Sequence, residues 1–157
     1  MIIRFVQGTP DDPISWDIEA RENVAMPITP SHVEMLSRDG KTYTGAHIDG
    51  GIQARPIGYD KATTKAELLV DLGPENDDAA FSYMESKIGS PYDWTAIVDY
   101  LLPINWHRKN HLICSAFATL TLRKKLTLRW PIAVPAHMVN PRDLLLGLSC
   151  LMEIKGI

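Results

Sequence analysis

The segment SHVEMLSRDGKTYTGAHI, residues 31–48, carries a turn signal at its centre. Asp39-Gly40 is the dipeptide type that a tight β-hairpin selects, because both central turn positions favour positive φ. The flanking runs, Ser31 to Leu36 and Thr42 to Ile48, read as the two strands. With a two-residue turn at Asp39-Gly40, paired residue numbers sum to 79, so His32 lies opposite His47 and Glu34 opposite Gly45. Strand residues two apart share a face. The hairpin therefore gathers His32, Glu34 and His47 on one side of a sheet, with directly opposed Cβ atoms roughly 5 Å apart. A register slip of one residue would remove His47 from that face.

Outward from the hairpin, the first half of the chain reads as strands. Met1 to Val6 is a first strand, and residues 7–13 form a turn-rich loop. Ile14 to Ala25 is ambiguous: Trp16, Ile18 and Ala20 alternate as in a strand, Glu19, Arg21 and Glu22 suit a helix, and strand or irregular structure is the reading taken. Gly50-Gly51 interrupt the hairpin's return strand before an extended run from Ile52 to Ile57, and Glu67 to Leu72 is a further strand. The second half reads as helices: Asp77 to Ile88, Tyr92 to Leu102, Cys114 to Leu126, and Pro141 to Leu151. Acidic residues open the first of these, Gly89 follows it, and Asn140 caps the last with Pro141 at its first position. Residues 103–111 form a polar loop. Strands followed by helices predict an α+β fold, an antiparallel sheet packed against helices, in one domain spanning residues 1–157.

The net charge of −3 gives no whole-chain electrostatic case for nucleic acid. The basic run Arg123-Lys124-Lys125 sits at a helix end, where it complements the dipole and is expected to face solvent. No apolar run approaches the roughly 20 residues that span a bilayer. The opening residues are too short for a signal peptide, and the expected location is cytoplasmic.

The chain has two cysteines, too few for a disulfide framework. Cys150 lies in the apolar run Leu144 to Met152 and reads as a small buried hydrophobe. Cys114 opens a helix. Unpaired N–H groups surround the first turn there, and the dipole favours a thiolate. The same N–H groups, at residues 114 and 115, can hold an oxyanion after the sulfur attacks a carbonyl. Among the five histidines, His32 is the candidate base and His111 the local rival; His107 and His137 read as solvated or structural. Glu34 or His47 is placed to hold the His32 imidazole in its working tautomer, as the third member of a triad does. Cys114, His32 and His47 also admit a reading as zinc ligands, but their spacing matches no short zinc motif. No metal or other cofactor is expected.

The order Ser31-His32-Val33, Asp39-Gly40-Lys41, Gly45-Ala46, Gly50-Gly51-Ile52, Gly89-Ser90-Pro91-Tyr92-Asp93-Trp94, Cys114-Ser115-Ala116-Phe117 and Asn140-Pro141-Arg142-Asp143-Leu144 resembles the permuted NlpC-type papain-like hydrolases, in particular the YiiX/YebB-like branch. The resemblance covers residues 28–145. It implies a circularly permuted papain-like fold, with the histidine strand preceding the cysteine helix. It also implies a cysteine hydrolase that works through a thioester and acts on peptide amides, including those of cell walls, or on lipid esters or amides. Cys114 then carries over as nucleophile, His32 as base, and Tyr92 as a tyrosine near the oxyanion. One departure stands out: where the family usually places its third polar residue, before the alanine of the second strand, this chain has Gly45, or Thr44 if the alignment has no gap. That departure motivates a second reading, a papain-like binding or assembly module with weak or no activity. The absence of a leader and the short connections resemble prophage-encoded members. Oligomeric state is not legible in the sequence.

Overall fold

The computed structural model describes residues 1–9, 28–93, 95, 112–126 and 132–154, with side chains of the last segment described through Ser149. Expectations for residues 10–13, the 14–25 stretch, residues 96–111 with His107 and His111, and the Cys150 side chain lie outside the described residues.

The described strands are β1 (Ile2–Gly8), β2 (His32–Leu36), β3 (Thr42–His47), β4 (Gly51–Pro56) and β5 (Thr64–Asp71). They form an antiparallel sheet in the order β4-β3-β2-β1-β5. The helices are α1 (Asp77–Ser86), α2 (Cys114–Lys125) and α3 (Pro141–Ile154), with a short 3-10 turn at Ala136–Met138. The fold is thus α+β, a five-stranded antiparallel sheet with helices packed against it.

The hairpin register matches the expectation, since Met35 pairs with Thr44 and Leu36 with Tyr43. The turn itself differs. Ser37 N–H donates to Thr42 C=O at 2.8 Å, and Gly40 N–H donates to Ser37 C=O at 3.0 Å, so Arg38 to Lys41 form a four-residue loop. Only Gly40 takes positive φ, 69°. Asp39 instead accepts from the Ser37 hydroxyl and the Lys41 N–H. A four-residue loop and a two-residue turn with the same centre give the same pairing, and so the register survives.

Alternation divides the sheet's two faces. Ile3, Phe5, Val33 and Met35 are fully buried and join Ala116, Phe117 and Leu122 of α2 in one apolar cluster. Arg4, Val6, His32 and Glu34 alternate with them, and β1 pairs Arg4 with Glu34 and Val6 with His32. Burying Phe117 alone is worth about 1.5–3 kcal/mol. Helix α2 is enclosed on most sides, which suits its small residues Ala116, Ala118, Ser115 and Thr119.

Five expectations need correction. Helix α1 ends at Ser86, and Ile88 lies beyond it, half exposed at 50%, because the chain turns at Gly89 with φ 87°. Tyr92 and Asp93 are not helical; Tyr92 forms a parallel bridge with Leu112, and Thr95 is the described helical residue that follows. Strand β5 begins at Thr64, three residues before the expected Glu67, and Gln7 and Gly8 belong to β1 rather than to a loop. Lys125 does not face solvent. It is 2% exposed, and its ammonium donates to Gly73 C=O at 2.7 Å, Glu75 C=O at 2.6 Å and the Asp77 carboxylate. Three oxygen acceptors replace the water that a buried ammonium needs. The Asn140 cap is as expected, its side chain accepting from Asp143 N–H at 2.7 Å.

Candidate active site

Glu34 has no exposed surface, yet its carboxylate is the hub of the polar face. Its Oε2 accepts from Arg4 Nη1 at 2.9 Å, and its Oε1 accepts from the Tyr59 hydroxyl at 2.7 Å. His32 Nε2 lies 3.5 Å from the same Oε1, and His47 Nε2 lies 3.3 Å from it. The two imidazole centroids are 5.1 Å apart, as opposed residues of a hairpin should be. Arg4 is itself saturated. It grips Asp60 with two bonds of 2.9 and 3.1 Å, donates from Nε to Glu67 at 2.7 Å, and lies over the Tyr43 ring. The segment after β4 thus supplies Tyr59 and Asp60 to close the polar face.

Gly45 makes room for this arrangement. A Cβ at position 45 would lie 2.9 Å from Glu34 Cγ, 3.2 Å from Glu34 Oε1 and 3.3 Å from His32 Nε2. A side chain from β3 and the Glu34 side chain cannot occupy that volume together. The carboxylate beside His32 therefore comes from β2, and a glycine stands across from it.

Cys114 is the first residue of α2. Ile113 before it is extended (φ −84°, ψ 166°), and Phe117 N–H donates to Ile113 C=O at 2.9 Å to start the helical ladder. First-turn N–H groups, those of Cys114 and Ser115 included, have no acceptor within the helix. A chain of backbone contacts fixes this start. Gly51, at φ 75°, lets β4 approach residues 89–91 closely, with Ile52 N–H donating to Ser90 C=O at 2.8 Å. Leu112 N–H then donates to Pro91 C=O, and Asp93 N–H to Leu112 C=O, each at 3.3 Å. Tyr92 and Cys114 are thereby held to the same sheet edge.

His32 and Cys114 line the same cleft, and the Cys114 side chain acts on the His32 ring as a charged neighbour. Because Nε2 is turned to Glu34, Nδ1 is the ring nitrogen left for the sulfur. Burial works against the His32 imidazolium, but negative charge on Cys114 and on Glu34 outweighs it and lifts the ring to about 10. Burial also opposes the Glu34 carboxylate, yet the nearby His32 and His47 rings and the Tyr59 hydroxyl hold it well below the usual carboxylate range. His47 moves the other way: burial first, and then the His32 charge, push it down despite Glu34. So the carboxylate serves a charged His32 and a neutral His47. Tyr92 is raised, by burial and by the charges on Cys114 and Asp93, and so remains a hydroxyl that can donate.

Cys114, His32, His47 and Tyr92 line one cleft of about 200 Å³, with Ser31, Ala46, Thr63 and Thr64 among its other walls. His32 is 23% exposed, so the cleft reaches it, whereas Cys114 is 6% exposed at its base. Glu34 sits behind His32. Of the two candidates for the third position, Glu34 holds the ring nitrogen's side, and His47 contacts Glu34 rather than a nitrogen of His32. Ser115 is fully buried with its Oγ unpartnered among the described residues, leaving its backbone N–H as the group at the helix mouth. His32, Glu34 and His47 also form a set of ligand-type atoms lying within 4.8 Å of one another. His137 lies on the 3-10 turn, outside this group.

Sequence reasoning missed Arg4, Tyr59 and Asp60. One signal was present: Arg4 interrupts an otherwise apolar strand, and a charge there demands carboxylates. Comparisons with protein-family models, with curated proteins and with solved structures each return no match.

Proposed function

We propose that this chain is a thiol hydrolase that transfers an acyl group to water through a thioester on Cys114, within a permuted papain-like core. The single observation that supports it is the placement of the His32 ring, which shares one cleft with Cys114 at the mouth of a helix and faces the Glu34 carboxylate through Nε2.

In this reading the thiol proton resides on His32 and the sulfur attacks a carbonyl carbon. The resulting oxyanion accepts from the N–H groups of residues 114 and 115 and from the Tyr92 hydroxyl. His32 then protonates the leaving amine or alcohol, and the carbon–oxygen double bond re-forms as a thioester. His32 next takes a proton from water, the hydroxide attacks the thioester, and the acid departs as the thiolate re-forms. Glu34 keeps the ring oriented and stabilises its charged form throughout. The resemblance favours peptide amides as substrates, with lipid esters or amides as the related class.

The test is labelling with an alkyne-bearing thiol electrophile at pH 7, read by peptide mass spectrometry, together with hydrolysis of an activated ester. Label on Cys114, lost together with ester turnover in Cys114→Ala, is the expected result. Label confined to Cys150, or unchanged turnover in Cys114→Ala, would reject the proposal.

A further inference from the structure

We propose that His32 Nε2, His47 Nε2 and Glu34 Oε1 form a binding site for a zinc-like divalent cation; the site does not rest on the catalytic reading above.

The spacing comes first. Zinc binds imidazole nitrogen and carboxylate oxygen at about 2.0–2.1 Å, so the edge of its tetrahedron is about 3.3–3.4 Å. The two nitrogens lie 3.3 and 3.5 Å from the shared oxygen. Two of the three edges are thus already near that length, and all three atoms lie within 4.8 Å of one another.

The second observation is independent. Both Nε2 atoms are buried, and neither has a hydrogen-bond partner among the described residues, although Oε1 is close to each. His47 is only 7% exposed. A buried ring nitrogen without a partner calls for a specific explanation. Two of them beside one carboxylate oxygen make a ligand set of the kind zinc prefers, two imidazoles and a carboxylate.

Charge and access agree. Glu34, Asp60 and Glu67 surround the single guanidinium of Arg4. Arg4 faces Oε2, on the other side of the carboxylate, and Tyr59 takes one lone pair of Oε1, leaving the second. The cluster thus keeps negative charge for a cation to neutralise. Both histidines line the cleft, which gives the ion its route in.

Cobalt(II) is the probe, added to the Cys114→Ala chain so that no thiolate at the site can contribute. One equivalent should bind with the strong visible absorption of four-coordinate cobalt, without a sulfur charge-transfer band, and zinc should displace it. His47→Gln and Glu34→Gln, checked for folding by circular dichroism, should each weaken binding by at least about tenfold. In the unaltered chain, zinc should shift the ring C–H signals of His32 and His47 together and leave those of His137 in place, a readout that needs no variant. The inference is overturned by six-coordinate or absent cobalt absorption, by a spectrum unchanged in His47→Gln, or by zinc shifts confined to His137. If the cation binds and Cys114 is inert to electrophiles, the catalytic reading falls and the site stands; if Cys114 reacts and no cation binds, the site alone falls.

Discussion

Replacing Glu34 with glutamine keeps the side chain's shape and removes one charge from the centre of the polar face. At 3.5 Å from His32 Nε2, and with an effective dielectric of about 20, a full charge is worth on the order of 4 kcal/mol to the imidazolium. One pH unit corresponds to about 1.4 kcal/mol, so the upper bound is about 3 pH units, and measured pairs of this kind span about 1–3. His32, lifted to about 10 in the native protein, should therefore titrate lower by that amount in Glu34→Gln. NMR of the His32 ring signal against pH reads it directly. Stability follows with two signs. A ring with a raised native value contributes fully below about 6.5, its unfolded value, and that contribution fades as pH rises toward about 10. A carboxylate with a depressed native value contributes fully above about 4.3 and less as pH falls below it. At neutral pH Glu34→Gln should be less stable by about 3 kcal/mol, and the gap should narrow in acid. An unmoved His32 titration, or a gap that widens in acid, would refute the reasoning.

Three other perturbations have defined outcomes. Gly45→Ala places a Cβ 2.9 Å from Glu34 Cγ, and should cost about 1–3 kcal/mol in urea denaturation while slowing alkylation of Cys114 by displacing the carboxylate. Gly51→Ala adds a Cβ 2.1 Å from Ser90 C=O at a φ of 75°; a loss of about 2 kcal/mol or more, with slower Cys114 alkylation, should appear in melts and labelling, because this contact positions the approach to α2. Lys125→Met removes the ammonium that joins Gly73, Glu75 and Asp77. It leaves Asp77 with the N-terminal amine alone, and calorimetry should show a loss of about 2–4 kcal/mol with Cys114 labelling intact.

The hairpin was legible because its pairing depends on the position of the turn's centre, which Asp39-Gly40 marks, and not on the loop's length. Helices α1 and α3 were legible from their end signals, the acidic start and Gly89 of the first and the Asn140 cap and Pro141 of the second. The polar face was only half legible. Local alternation puts His32, Glu34 and His47 together, but the partners of Arg4 lie 30, 56 and 63 residues away, and no local pattern names them. Lys125 shows the same limit: at a helix end a lysine usually reaches water, and its burial comes from contacts 48–52 residues distant. The choice between Glu34 and His47 as the imidazole's neighbour was beyond strand geometry, because it depends on the volume that Gly45 leaves open.

The most direct measurement is the second-order rate of Cys114 alkylation by iodoacetamide at pH 6, in the native chain and in His32→Ala. A base beside the sulfur predicts fast native alkylation and a fall of about 100-fold without the ring. Equal rates in the two proteins would contradict the account.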